Sequence, residues 1–438
     1  VSAARSEWAS LSGVKEAVVR SFSGRMRGTV SLPGSKSFTN RALIVAACAR
    51  GTSRVSGILR SDDSYWCMES LKQLGVRIEE DGDAFLITGP GDWAAPDAPL
   101  YIGSAGTTGR FLTSVLALSV KTPVTVTASE QLSRRPMKTL FEALTVLGAR
   151  FTFLGEHGCF PVRIDPPGVG AETISVSGSE SSQFISGLLM ATPLMRRPVE
   201  IWIADHIVQA DYVRITLEVL KAFGVEMDIS AGFNRFSVKP RDFRPADYAV
   251  EADASTATYF LAMGALLGEV TVSNLNVNTI QPDIAFLGVL KQMGCEVSGA
   301  TVRGPEKLRG GFEIDMRAFS DSFLTLAAIA PFADGQIDIT GVEHTRKHES
   351  DRIGVMARTL ATLGVPMEER VDGLRIFPAA PRFGRVATHD DHRVAMSLAV
   401  LGLAGSGVAL EDPGCVSKTC PNFFDLIADL GADVTVVR

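Results

Sequence analysis

Apolar positions along the chain follow two alternating periods, short every-other-residue runs of strand character and longer amphipathic runs of helical character. One phrase punctuates them, an apolar residue, a glycine and a small residue closing a helical run. It reads QLGV at Gly75, VLGA at Gly148, AFGV at Gly224, QMGC at Gly294, TLGV at Gly364 and DLGA at Gly431. The spacing is roughly 70 residues, longer than the ~20–50 residues of common solenoid repeats. Each stretch reads as a short alternating strand, a Gly/Ser-rich turn into an apolar helix, a Val/Thr-rich strand, a second helix ending at the glycine, then closing strands. That is a βαβαββ unit in six copies, its glycine sitting where a helix end needs a left-handed residue. In the first copy GTVSLP (28–33) is predicted as a strand, SKSFTNRALIVAACAR as a helix, SRVSGIL (53–59) as the second strand and SDDSYWCMESLKQLG as the second helix.

Such a unit buries one helix beneath its sheet and exposes the other, so three units can pack their buried helices around a common axis. Six divide into three plus three. At 438 residues the chain exceeds the roughly 250–300 at which single cores stop growing, which also argues for two domains. The boundary is expected near YAVEAD (248–253), after the Pro- and charge-rich KPRDFRPAD (239–247), with the site in a cleft between the halves.

Charge and cysteine content narrow the function. A net charge of −6 argues against a general nucleic-acid or membrane-surface binder, so any anion site must be local. The six cysteines lack the spacing of a disulfide framework or zinc site and suit a reducing cytoplasm. Val1 to Lys15 has no apolar signal core, and the longest apolar stretches are too short and Gly-interrupted to span a bilayer. A soluble, cytoplasmic protein is expected.

Four polar turns precede predicted helices: PGSKS (33–37), GSAGTTGR (103–110), SGSESSQ (177–183) and EADAST (251–256). Free N–H groups there favour anions, although helix capping accounts for any one turn alone. None matches a Walker or dinucleotide fingerprint. Isolated cations stand near turns, Lys36, Arg41, Arg110, Arg135, Arg352, Arg393 and Lys418, where forked guanidinium groups suit phosphate and carboxylate oxygens. An acidic protein with scattered cations reads as a binder of small polyanionic metabolites. Acid–base candidates are Asp321 and Glu349, for which capping and surface solvation are the plainer alternatives. The clusters HTRKH (344–348) and THDDH (388–392) lack the HExxH spacing, and no metal site is assigned.

The blocks LPGSKSFTNRAL (32–43), SAGTTGRF (104–111), SRRPM (133–137), ESSQF (180–184), EADASTATYF (251–260), SDSF (320–323), RKHESDR (346–352), DDHRVAM (390–396) and DPGCVSKTCP (412–421) together resemble the 5-enolpyruvylshikimate-3-phosphate (EPSP) synthase family. The resemblance implies an α/β fold of two inverse α/β barrels, each of three βαβαββ units. It places residues 1–32 plus 251–438 in one domain and 33–250 in the other, with crossings near Leu32 and Glu251. It implies transfer of the enolpyruvyl group of phosphoenolpyruvate to the 5-hydroxyl of shikimate 3-phosphate, with no cofactor or metal, by induced-fit closure. By matching motif positions, Lys36, Gly106, Arg135, Gln183, Arg352, Arg393 and Lys418 would bind phosphoenolpyruvate. Ser37, Arg41, Ser181, Ser182, Gln183 and Tyr212, with Lys36 and Asp321, would bind the acceptor. Lys36, Asp321 and Glu349 would manage protons.

Departures fall on the acceptor side. Gln209 stands where the family commonly has a phosphate-binding serine and Asp211 where proline is common. His344 and His348 replace a frequent asparagine and lysine, while Ser104, beside the phosphoenolpyruvate turn, replaces the usual asparagine. Gln209, His344 and His348 are still carried as acceptor-binding positions. The same transfer onto another phosphorylated alcohol, such as a nucleotide, is the second reading, and a noncatalytic metabolite-binding module the third. The expected partners are the two small substrates, with no nucleic acid and no membrane, and the chain is expected to be a monomer. The bare hydrogen of Gly106 implies sensitivity to glyphosate, a phosphoenolpyruvate mimic in this family.

Overall fold

The computed structural model describes residues 5–438. It contains six four-stranded sheets with one pairing scheme. In the fifth, Phe312–Asp315 runs parallel to Ile337–Thr340, Gly373–Ile376 pairs antiparallel with the latter, and Met367–Arg370 closes the hairpin. Helix Phe323–Ile329 joins the two parallel strands and helix Arg352–Thr362 leads into the hairpin, which completes βαβαββ. The repeated glycine closes the second helix in every copy. Gly75, Gly148, Gly224, Gly294, Gly364 and Gly431 all have φ between +77° and +106°, a region that costs a side-chain-bearing residue energy.

The strand that the repeat pattern alone assigns to the first copy is not paired within it. Met26–Val30 lies parallel to Gly268–Val272, and Asp247–Ala249 takes the corresponding edge beside Thr52–Ser56. Both are parallel edge strands held on one side only, so any extended segment of suitable pattern can fill the position and sequence order does not decide which does. The sixth sheet is completed by Glu16–Val19, between Val408–Glu411 and Val434–Val437, where the sequence showed no element.

Two compact units result, one of residues 5–7 with 34–251, the other of residues 8–33 with 252–438. The segment ending at Glu7 falls with the first unit rather than with the strands that follow it. The backbone N–H and hydroxyl of Ser6 both donate to Asp62, and Arg5 lies 3.6 Å from the same carboxylate. The chain enters the first unit at Gly34, where a Cβ would come within 1.9 Å of the Gly57 carbonyl oxygen, too close for any other residue.

In the first unit the buried helices are Lys36–Cys48, Gly106–Ser119 and Ser182–Ala191. The last two approach so closely at Gly187 that a Cβ there would lie 2.6 Å from Ser114 Oγ. In the second unit Ala254–Leu267, Phe323–Ile329 and His392–Ala404 play this part. Phe260, Phe286, Phe323 and Phe423 are fully buried in its core, each worth about 1.5–3 kcal/mol of transfer free energy. The N-terminal ends of the buried helices bear the polar turns picked out in the sequence.

Candidate active site

In the first unit, Lys36 opens its helix with its Nζ 3.9 Å from the buried Asp63 carboxylate. One turn on, Arg41 is buried, with Nε donating to Thr216 Oγ1 at 2.7 Å, Nη1 to the Ser37 carbonyl at 2.9 Å and Nη2 to the Tyr212 carbonyl at 3.1 Å. The guanidinium also lies 4.7 Å over the Phe111 ring. Burial lowers its pKa to about 10, which still leaves it charged at neutral pH. Arg41 therefore ties together Ser37, Tyr212 and Thr216.

Gly106 opens the second buried helix beneath two guanidinium groups. A Cβ there would meet Arg110 Nη1 at 2.9 Å and Arg135 Nη1 at 3.0 Å, so the missing side chain is what lets both arginines close over the turn. Ser181 caps the third helix, its hydroxyl accepting from the Gln183 N–H at 3.2 Å. Gln183 Oε1 is buried with no hydrogen-bond partner among the described residues. Gln209 has φ +50°, a left-handed conformation uncommon for glutamine, in the turn leading into helix Asp211–Ala222.

The second unit gathers its candidates into one network. Buried Arg352 donates from Nε to Asp391 at 2.9 Å, from Nη1 to Asp321 at 3.2 Å and to His348 Nδ1 at 3.1 Å, and from Nη2 to Glu349 at 2.9 Å. Arg393 Nη2 donates to the second oxygen of Asp321 at 2.8 Å, and Lys418 Nζ lies 3.3 Å from Glu349 Oε1. Burial works against the Arg352 charge, but Asp391, Glu349 and Asp321 outweigh it and raise its pKa above the ordinary arginine range. Asp321 thus bridges two arginines rather than capping a helix. Glu349, its side chain 9% exposed, links Arg352 and Lys418 rather than standing as a solvated surface acid.

His344 and His348 are both shifted down. Burial comes first in each case, followed for His348 by the Arg352 charge. His348 is therefore neutral and accepts at Nδ1, and His344 shares a hydrogen bond with Ser320 Oγ at 2.7 Å. A histidine kept neutral in the fold stabilises it above the unfolded pKa of about 6.5 and loses that contribution as pH falls toward the folded value. Unfolding free energy is therefore expected to fall below about pH 6.5, with a shallower fall in His348→Asn. Urea titrations at pH 7 and 5 measure the difference; equal slopes would contradict it.

Asp391, given no role from sequence, is central. It is fully buried, caps helix His392–Ala404 through the Arg393 N–H at 3.0 Å, and accepts from Arg352 and from Ser350 Oγ. His389 and Asp390 before it have φ +55° and +53°. Two consecutive left-handed non-glycine residues store strain in the turn that delivers Asp391 and Arg393. The doubled acid of THDDHR at a helix start was the available signal. Two further groups had none: Asp283, which accepts from Ser255 Oγ at 2.7 Å and whose pKa is raised by burial and by Asp321, and buried Tyr259 beside Arg393, pushed up to about 12 by burial.

Repeated βαβαββ units, with Lys36, Arg110 and Arg393 in the opening turns of three of the buried helices, define a repeat-built α/β class with polar, cation-bearing helix starts. The model of the family described as EPSP synthase (3-phosphoshikimate 1-carboxyvinyltransferase) matches residues 21–427. The chain is 45% identical to 3-phosphoshikimate 1-carboxyvinyltransferase 2 of Halalkalibacterium halodurans, over 98% of each chain. It is 40% identical to the 3-phosphoshikimate 1-carboxyvinyltransferase of Methanosphaerula palustris, over 90% of this chain and 95% of that one. A solved EPSP synthase from Acinetobacter baumannii superposes with a TM-score of 0.81 at 26% identity, covering 97% of this chain and 100% of that one. The chain belongs to the EPSP synthase family. Among the described residues no helix is long and apolar enough to cross a membrane.

Proposed function

We propose that the chain transfers the enolpyruvyl group of phosphoenolpyruvate to the 5-hydroxyl of shikimate 3-phosphate, releasing phosphate. The observation that carries this reading is the network in which Asp321 joins Arg352 to Arg393 while Glu349 joins Arg352 to Lys418. It places two carboxylates among three cations, the combination that proton transfer beside a departing phosphate requires.

The reaction is an addition followed by an elimination. Asp321 takes the proton of the attacking hydroxyl as its oxygen bonds to C2 of phosphoenolpyruvate, and an acid delivers a proton to C3, giving a tetrahedral ketal phosphate. Loss of a C3 proton then expels phosphate from C2, the electron pair leaving with the phosphate oxygen. Glu349 and Lys36 serve the C3 proton. Arg352, Arg393 and Lys418, with Lys36, Arg135 and the turn at Gly106, hold the phosphate and carboxylate of phosphoenolpyruvate. No metal or cofactor enters these steps.

On the acceptor side, Arg41 holds the carboxylate, Ser181 and Ser182 the phosphate, and Ser37 and Tyr212 flank them. Gln183 Oε1, buried and unpartnered, supplies an acceptor for a substrate hydroxyl. Gln209 offers an amide donor where a serine hydroxyl is common, and the neutral His344 and His348 line the acceptor near Asp321. The enzyme acts as a monomer in the cytoplasm.

A competition between acceptors tests the assignment. Turnover with shikimate 3-phosphate should exceed that with any phosphorylated nucleoside; preference for the nucleoside would replace the acceptor and leave the transfer standing. Gly106→Ala should raise the KM for phosphoenolpyruvate and weaken glyphosate inhibition while sparing kcat more, because the methyl pushes Arg110 and Arg135 off the turn. Unchanged steady-state constants and an unchanged glyphosate inhibition constant would contradict it.

A further inference from the structure

The first unit holds a cavity of about 730 Å³ at the C-terminal ends of its three buried helices, the ends away from Lys36, Gly106 and Ser182. A helix rises ~1.5 Å per residue, so the 13 residues of Lys36–Cys48 set the two ends about 20 Å apart. The cavity lies within the usual range for small-molecule sites, about 300–1,000 Å³. Five cations line it, Arg50, Lys121, Arg196, Arg197 and Arg241, against the two carboxylates Asp92 and Asp242. That excess sits in a chain whose overall charge is −6.

Three of the cations come from equivalent places in three repeats. Arg50 follows the helix ending at Cys48, Lys121 the helix ending at Ser119, and Arg196 the turn Thr192–Leu194 that extends the third helix. Basic residues often complement a helix C-terminus, and this alone would explain them. The second unit argues otherwise. There the corresponding helices run into Gly268-Glu269, Ala333-Asp334 and Gly405-Ser406, without a single Lys or Arg. Arg25 packs beside Gly268 at one of these ends, but none of the three helices is followed by a cation of its own, so the fold does not require the first unit's basic triad.

Two of the five cations are committed within the protein. Lys121 pairs with Asp92 at 2.5 Å, and Arg197 donates to the Leu147 and Ala171 carbonyls at 3.0 and 3.4 Å. Arg50, Arg196 and Arg241 have no ion pair among the described residues. Asp92 already registers the convergence: Lys121 first, then Arg50 and Arg196, hold its carboxylate below its ordinary range. The remaining wall carries the apolar side chains of Trp93, Pro193 and Phe243. Trp93 is fixed by its Nε1 donating to Ser119 Oγ at 2.8 Å, and Arg241 is tethered by its backbone N–H to the Pro193 carbonyl at 3.0 Å. Residues 240–243, from the Pro- and charge-rich stretch that precedes the boundary expected from sequence, form part of this wall.

We propose that this cavity is a second anion site, taking a compact metabolite with at least two anionic groups, phosphate or carboxylate, on Arg50, Arg196 and Arg241. It is separate from the enolpyruvyl chemistry and does not depend on that assignment. Equilibrium dialysis with radiolabelled pyrophosphate, and in parallel with citrate, tests it on the full chain and on the triple variant Arg50→Gln, Arg196→Gln, Arg241→Gln. These exposed residues touch none of the proposed catalytic groups, so the variant should keep its thermal midpoint and its turnover. Beside any binding at the proposed enolpyruvyl-transfer site, the native chain should show a saturable site that the variant loses or binds at least about tenfold more weakly, having lost three charge-assisted contacts. Loss of the pyrophosphate site alone would identify a phosphate-bearing ligand, and loss of the citrate site alone a polycarboxylate. Equal stoichiometry and affinity in both proteins for both probes, or no saturable binding by the native chain, would overturn the proposal.

Discussion

Arg352→Met is expected to lose about 3–5 kcal/mol of stability at neutral pH, the usual cost of removing one partner from a buried ionic cluster, together with all measurable turnover. Asp391 is fully buried, and the side chains of Glu349 and Asp321 are 9% and 17% exposed. Without the guanidinium these carboxylates face one another in a medium of low polarity, with Arg393 and Lys418 as remaining counter-charges. Denaturant titrations at pH 7 read the loss directly, and a variant as stable as the native chain would contradict the network. Arg352→Lys should rescue little, since three separate nitrogens are in use and one ammonium cannot reproduce their directions.

Asp321→Asn separates chemistry from packing. The amide oxygen can still accept from one arginine, so most of the fold's stability should remain. The side chain can no longer take the hydroxyl proton, and kcat should fall by about 10²–10⁴, the usual worth of a positioned general base. Substrate KM values should change far less than kcat. A purely structural Asp321 would give the opposite pattern, a lowered thermal midpoint with kcat per folded molecule preserved.

The repeat was legible in the sequence because it is written in local rules. Each of the six glycines must turn left-handed at a helix end, and the two hydrophobic periods alternate on schedule around them. Strand partnership was not legible. Met26–Val30 and Asp247–Ala249 exchange places relative to sequence order, and Glu16–Val19 pairs with segments nearly four hundred residues away. Such choices depend on which edges lie free once the helices have packed, not on the strand's own residues. The site was legible where a residue type is costly without a partner. Arg352, Arg393 and Lys418 stood out as cations in apolar surroundings, and the structure supplies their carboxylates. Asp391 and Asp283 were hidden because a buried acid beside a helix start reads from sequence as an ordinary cap. Arg41 was visible as a cation, but its contacts with Thr216 and Tyr212 come from a helix more than 170 residues later.

The most direct test of the account is phosphate release from phosphoenolpyruvate with shikimate 3-phosphate as the only acceptor, set beside a no-acceptor blank and the Asp321→Asn protein. The account predicts release that requires the acceptor, matches formation of the enolpyruvyl product, and nearly vanishes in the variant. Folded native protein that releases no phosphate, or a variant that releases it at the native rate, would contradict it.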